Sequence, residues 1–192
     1  MRLVLLGAPG SGKGTQAAML KAELKVPHIS TGDLLRAAVK AGTPLGLKAK
    51  AVMEAGKLVS DEIVLAMLEE RLSLADVKDG FILDGYPRNL AQCKALEAVL
   101  QRIGQPLDIA VKLKVPAELI VDRIAGRAAA EGRKDDTPET VRERLRVYQE
   151  QTAPVADHFA SLGELRIVDG VGDVDEVFRR ILAALRDKDE AA

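Results

Sequence analysis

The sequence predicts an α/β protein built on a five-stranded, largely parallel sheet. Three observations lead there. Short apolar runs alternate with longer stretches of helical period along the whole chain. The first apolar run ends in a glycine-rich turn that opens a helix, the arrangement of a strand feeding a phosphate-binding loop. With 192 residues, 47% apolar and 30% charged, the chain suits one folded domain, residues 1–192, rather than a disordered polymer.

Taken in order, 2–6 reads as a buried strand and 11–25 as a helix carrying Ala17, Ala18, Leu20 and Leu24. A brief strand is expected at 27–30. Two short helices follow, 33–40 and 47–55, separated by Gly42-Thr43-Pro44. Ser60 suits an N-cap, with Asp61 and Glu62 in the first turn of a helix to about residue 72. The run Phe81-Ile82-Leu83 is the third strand. A helix is expected over 89–103, a strand over 107–115, and a helix from Pro116 to about residue 130. Thr137-Pro138 opens one long helix reaching about residue 162. The last strand is 164–168, and Asp173 with Glu176 forms a capping-box-like pair before the terminal helix. Two stretches fit the layered pattern poorly: 30–59, with two short helices where one crossover would serve, and about 127–136, which is polar. Insertions of this kind commonly carry function.

Composition excludes several classes. Lys and Arg number 28 against 29 Asp and Glu, a net charge of −1, so no overall basic excess marks a nucleic-acid partner. Aromatics at 3%, without Trp, argue against a base-stacking surface. One cysteine, Cys93, allows neither an intrachain disulfide nor a cysteine-built zinc cage. No apolar stretch approaches a membrane span or a signal-peptide core. A soluble, cytoplasmic protein with no membrane partner is expected.

The strongest chemical signal is Gly7-Ala8-Pro9-Gly10-Ser11-Gly12-Lys13-Gly14-Thr15. Glycines let backbone N–H groups turn toward one point, and the following helix N-terminus adds positive potential. Lys13 supplies a mobile cation for the outer phosphates. The hydroxyl that usually follows this lysine is displaced by one position: Gly14 stands there and Thr15 comes next. Asp84 ends an apolar run, at the carboxyl end of an expected parallel strand, where ligands of open α/β sheets bind. A carboxylate there can hold Mg²⁺ directly or through water; a turn or capping role is the alternative.

A loop of the form GxPGxGKGTQ resembles the nucleoside monophosphate kinases, the adenylate kinases in particular. The resemblance continues through Ser30-Thr31-Gly32-Asp33-Leu34-Leu35-Arg36, through Asp84-Gly85-Tyr86-Pro87-Arg88 with Gln92 downstream, through Asp122-Arg123 to Gly126-Arg127, and through Arg133-Lys134-Asp135-Asp136 to Arg144. It implies a P-loop NTPase fold with a helical monophosphate-binding insertion at 30–59 and a short lid at 127–133. Only five residues separate Arg127 from Arg133, so the chain resembles the short-lid type, without room for a zinc-bearing subdomain.

By the same resemblance, Gly10, Ser11, Gly12, Lys13, Gly14, Thr15, Arg123, Arg127 and Gly172 hold ATP. Thr31, Arg36, Lys57, Leu58, Val59, Gly85, Tyr86, Pro87, Arg88, Gln92, Arg133 and Arg144 hold AMP. Lys13, Arg88, Arg123, Arg133 and Arg144 surround the transferring group. Asp84 and Asp33 face the Mg²⁺ of MgATP through water, although Asp33 also suits a helix start. The two nucleotides bring about six negative charges together, which explains the demand for arginines, always ionised and bidentate toward phosphate. An already anionic phosphate oxygen is the attacking group, so no general base is required; His28, His158 and Cys93 are expected to be structural. The implied function is reversible transfer of the terminal phosphoryl group from MgATP to AMP, giving two ADP, by a monomer whose partners are ATP, AMP and ADP. The alternatives are a uridylate-cytidylate kinase on the same fold and a nucleotide-sensing module without catalysis. Thr31 and Gln92 favour adenine: the pyrimidine enzymes tend to have Ala and Asn there.

Overall fold

Strand β1 (Arg2–Leu6) occupies the middle of a five-stranded sheet, flanked by β3 (Phe81–Asp84) and β4 (Ile109–Lys114). Strands β2 (His28–Ser30) and β5 (Leu165–Asp169) form the edges, and every pairing is parallel. The computed structural model describes residues 1–131 and 137–189, with side chains described for 1–126 and 137–186. The strand order β2-β3-β1-β4-β5 reverses direction at β1, so the crevice outside the carboxyl end of β1 is the expected ligand position.

Period-two alternation on β1 builds both faces of the core. Leu3 and Leu5 pack with Ala17 and Leu20 of α1 (Lys13–Leu24) and with Val177, Ile181 and Leu185 of α9 (Val174–Asp189). Val4 and Leu6 point the other way. They join Leu68 of α4 (Asp61–Leu72), Leu96 of α5 (Leu90–Arg102) and Phe159 of α8 (Ala153–Ser161). A sheet covered by helices on both faces explains why its inner strands read as unbroken apolar runs.

The two inserted helices begin earlier than the periodicity alone suggests. Helix α2 (Thr31–Lys40) is capped by Ser30, whose Oγ accepts from the Asp33 N–H at 3.2 Å. Helix α3 (Pro44–Glu54) is capped by Thr43, whose Oγ1 accepts from the Gly46 N–H at 3.0 Å, and Pro44 fills the first helical position. The expected separator is therefore the start signal itself. Gly46 is required by packing: a Cβ there would lie 2.1 Å from the Ala38 carbonyl oxygen. Ser60 occupies the cap position of α4, but its hydroxyl makes no capping bond. A 3₁₀ turn at Ala75–Val77 was not expected from the sequence. The capping box before α9 forms: Asp173 Oδ1 accepts from the Glu176 N–H at 2.7 Å, and Glu176 Oε2 accepts from the Asp173 N–H at 3.2 Å.

The long helix expected over 137–162 is corrected. Helix α7 (Pro138–Val147) passes into a π-helical segment, Tyr148–Thr152, before α8 resumes. Pro154 supplies the reason: it has no N–H for the Glu150 carbonyl, and its ring crowds the preceding turn. Helix α6 (Ala117–Glu131) runs into the expected lid, covering 127–131 of 127–133. Arg133 lies outside the described residues, and so does the Arg127 side chain.

Candidate active site

The turn between β1 and α1 folds on itself through Lys13. Its Nζ donates to the carbonyl oxygens of Gly7 at 2.8 Å and Ala8 at 3.0 Å. Gly10 has φ +80°, and a Cβ there would stand 2.6 Å from Ile124 Cγ1, so α6 presses directly on the turn. Residues 9–16 line an open cleft of about 1020 Å³ that also exposes His28, Asp33, Asp84, Arg123 and Gly172. Every residue predicted for ATP contact whose side chain is described therefore faces one cavity at the end of β1.

The floor of the cleft is Asp84, the last residue of β3, 9% exposed. Burial works against its charge. The hydrogen bond from His28, whose Nε2 lies 3.3 Å from Asp84 Oδ2, and the positive fields of Lys13, His28 and Arg88 outweigh that penalty. Together they hold the carboxyl below the usual carboxylate range. Gly14 of α1 is close by: a Cβ there would lie 3.8 Å from Asp84 Oδ2. The absent hydroxyl at position 14 thus leaves open space beside an ionised carboxylate. Among the described residues no three His, Cys, Asp or Glu side chains converge. A hard cation here would take most of its oxygens from phosphates and water, and one ionised carboxylate suits that arrangement.

Nine residues predicted for the monophosphate, namely Thr31, Arg36, Lys57, Leu58, Val59, Gly85, Arg88, Gln92 and Arg144, line one pocket formed by α2, the chain after α3, and the turn after β3. Gly32, Arg36, Gly85, Arg88 and Arg144 line both this pocket and the cleft, so the two cavities meet at arginines. Thr31 Oγ1 and Arg88 Nε both donate to the Gly85 carbonyl, at 2.9 and 2.7 Å. Tyr86 and Pro87, predicted with this group, line an adjoining cavity with Leu5 and Leu6 that shares Gly56, Leu58, Gly85, Arg88 and Arg144 with the pocket. The Tyr86 ring is turned into the core at 1% exposure; burial, foremost, and nearby Asp61 push its hydroxyl above the usual phenol range.

Asp33 pairs with Arg36, Oδ1 to guanidinium at 2.5 Å, within α2. It is not the N-cap; that position is Ser30. Arg123 on α6 donates to the carbonyls of Ser11 at 3.4 Å and Gly170 at 3.1 Å, spanning the phosphate turn and the loop after β5. Gly172 has φ +126° in that loop, beside Glu176. Arg146, an exposed residue of α7, pairs with Glu143 and Glu150. His158 contacts Glu97 and packs edge-on to Phe159, away from the cleft.

Sequence reasoning missed His28 as a partner of Asp84. It also missed Thr140 of α7, which donates to the Glu54 carbonyl at 3.0 Å, and Thr152 of the π segment, which donates to the Arg88 carbonyl at 2.7 Å. The place of His28 in the predicted strand 27–30 was the one usable signal; the two threonines gave none.

A parallel sheet with a phosphate turn at its switch point, and a second pocket joined to it through arginines, defines a phosphate-handling α/β nucleotide enzyme. The adenylate kinase family model matches residues 5–164. The chain is 64% identical to an adenylate kinase of Stenotrophomonas maltophilia (strain R551-3) over 97% of its length and all of the relative's. It is 66% identical to adenylate kinases of Xanthomonas campestris pv. campestris (strain 8004) and Xanthomonas oryzae pv. oryzae (strain MAFF 311018), covering 96% of this chain and 99% of each. The chain belongs to the adenylate kinase family.

Proposed function

We propose that the chain transfers the terminal phosphoryl group of ATP to AMP, giving two ADP, with the cleft holding ATP and the adjoining pocket holding AMP. The observation that carries this is the sharing of Gly32, Arg36, Gly85, Arg88 and Arg144 between the two cavities. Two phosphate chains entering from opposite sides would meet at these residues, with Lys13 and Arg123 on the donor side.

The work is positioning and charge stabilisation. Lys13 follows charge onto the β- and γ-phosphate oxygens; Arg88 and Arg36 hold the acceptor phosphate; Arg123, Arg144 and, by resemblance, Arg133 surround the transferring group, while Arg127 by the same resemblance contacts ATP. Gln92 reads the acceptor base at the back of the pocket, against Val59 and Leu58. The backbone at Gly172 meets the donor base. Magnesium arriving with ATP would supply charge neutralisation to the phosphates. Asp84 would hold it through water, and Asp33, already paired with Arg36, would be a second partner through water. Water is excluded by closure of the insertion and the lid, so AMP rather than water accepts the group.

A uridylate-cytidylate kinase is disfavoured by Thr31 and Gln92. A non-catalytic module is disfavoured by the retention of Lys13, Arg88, Arg123 and Arg144. The test is a coupled assay with MgATP and, in turn, AMP, UMP, CMP and GMP. AMP should give the highest kcat/KM; a preference for UMP or CMP would overturn the reading.

A further inference from the structure

Asp61 has no place in the roles above, yet it touches the pocket's base-reading residue. It is the first residue of α4, where the chain leaves the inserted helices. Its Oδ1 accepts from Gln92 Nε2 at 2.9 Å and from Asn89 Nδ2 at 3.1 Å. Gln92 Oε1 accepts from the Arg88 backbone N–H at 2.6 Å, and the Gln92 backbone N–H is capped by Asn89 Oδ1 at 2.8 Å.

Chemistry alone settles which end of the Gln92 amide is which. Only the oxygen can accept from the Arg88 N–H, and only the nitrogen can donate to a carboxylate. The reversed amide would face NH₂ against N–H and oxygen against an anion. A primary amide offers two N–H groups and two lone pairs. One of each is engaged inward, leaving one of each for the pocket that Gln92 lines.

That remaining pair has a fixed order. A 6-aminopurine presents a donor at C6 and an acceptor at N1; a 6-oxopurine presents the same two positions with polarity exchanged. An amide free to rotate by half a turn reads either edge, whereas a held amide reads one.

We propose that Asp61 is a positioning residue that locks the Gln92 amide and thereby sets the discrimination between 6-amino and 6-oxo purine monophosphates. The inference rests on the reading of Gln92 as the acceptor-base contact. Position, not polarity of its own toward substrate, is what Asp61 supplies.

The experiment compares the parent, Asp61→Ala, Asp61→Asn and Gln92→Ala. For each, kcat/KM with AMP and with inosine monophosphate is measured at saturating MgATP, alongside the two dissociation constants and Tm. Asp61→Ala should raise the inosine-to-adenosine ratio about tenfold, in Kd as well as in kcat/KM. Asp61→Asn, whose Oδ1 still accepts from Gln92 and Asn89, should keep the parental ratio whatever its Tm. Gln92→Ala should abolish most of the discrimination. If Asp61→Ala leaves the ratio within twofold while Gln92→Ala shifts it, the lock is overturned and the placement of Gln92 stands. If Gln92→Ala leaves the ratio unmoved, that placement fails and the lock fails with it. Should Asp61→Ala not fold, Asp61→Ser keeps a helix-start residue too short to reach Gln92 and takes its place, with the same ratio deciding.

Discussion

His28 Nε2 stands 3.3 Å from Asp84 Oδ2 because β2 and β3 pair with Ser30 beside Asp84 and His28 beside Ile82. The histidine reaches diagonally along the neighbouring strand to the carboxylate at the cleft floor. This contact, with Lys13 and Arg88, keeps a buried carboxyl ionised against the penalty of its own burial.

A pH dependence follows from that balance. Asp84 titrates lower in the folded chain than in the unfolded one, so it stabilises the fold above its unfolded value. That contribution is lost as pH falls through its folded value. Asp84→Asn should therefore flatten the acid side of the Tm–pH curve relative to the parent. Melting both proteins from neutral pH down through the carboxylate range checks this; parallel curves would refute it. His28→Leu removes the leading favourable contact and should shift the parental acid limb toward neutral pH.

Lys13→Ala should lower kcat by about 3–4 kcal/mol of transition-state stabilisation, two to three orders of magnitude. The fold should lose less, roughly 1 kcal/mol for each of the two carbonyls, Gly7 and Ala8, that Lys13 bonds. Steady-state kinetics and thermal melting, run together, decide it. Near-parental turnover would remove Lys13 from the phosphate site.

Chelation should abolish phosphoryl transfer and leave the nucleotide-free protein's Tm unchanged. The described residues hold no cluster of three metal-ligating side chains, and Asp84 suits a cation that travels with the nucleotide. Activity and melting are followed with EDTA and after magnesium is restored. A large fall in Tm would reveal a structural ion.

Tyr86→Phe should leave stability unchanged or raise it by up to about 1 kcal/mol. The Tyr86 hydroxyl is buried and finds no hydrogen-bond partner among the described residues, so removing it relieves a desolvated polar group while the ring stays packed. The denaturation midpoint gives the answer; a loss above about 1 kcal/mol would show that the hydroxyl is bonded.

The parts legible in the sequence are those specified locally. The phosphate turn is one contiguous segment, and the helix starts at Thr137 and Asp173 act within three residues of themselves. The caps at Thr43 and Asn89 are as local, but in the sequence one reads as a separator and the other as helix. The inner strands read correctly because burial on both faces makes them short and apolar. Contacts between distant elements were not legible. Asp61 and Gln92 are 31 residues apart on different helices, and Thr140 meets Glu54 across 86 residues. Nothing in either local pattern names the partner. The inward turn of Tyr86 was hidden likewise, because a motif says which residues cluster and not which side chain the core takes.

The π segment at Tyr148–Thr152 changes what kind of variation the chain can tolerate. In an α-helix one residue turns the axis by about 100°. The segment therefore sets the rotational phase between α7, whose Val141 packs against Ile120 and Ile124, and α8, whose Val155 and Phe159 enter the sheet core. Exchanging the exposed side chains of Gln149 or Gln151 leaves that phase intact. Deleting either residue would rotate Phe159 off the core and pull Thr152 from the Arg88 carbonyl. In this stretch the number of residues, rather than their identity, is the inherited quantity.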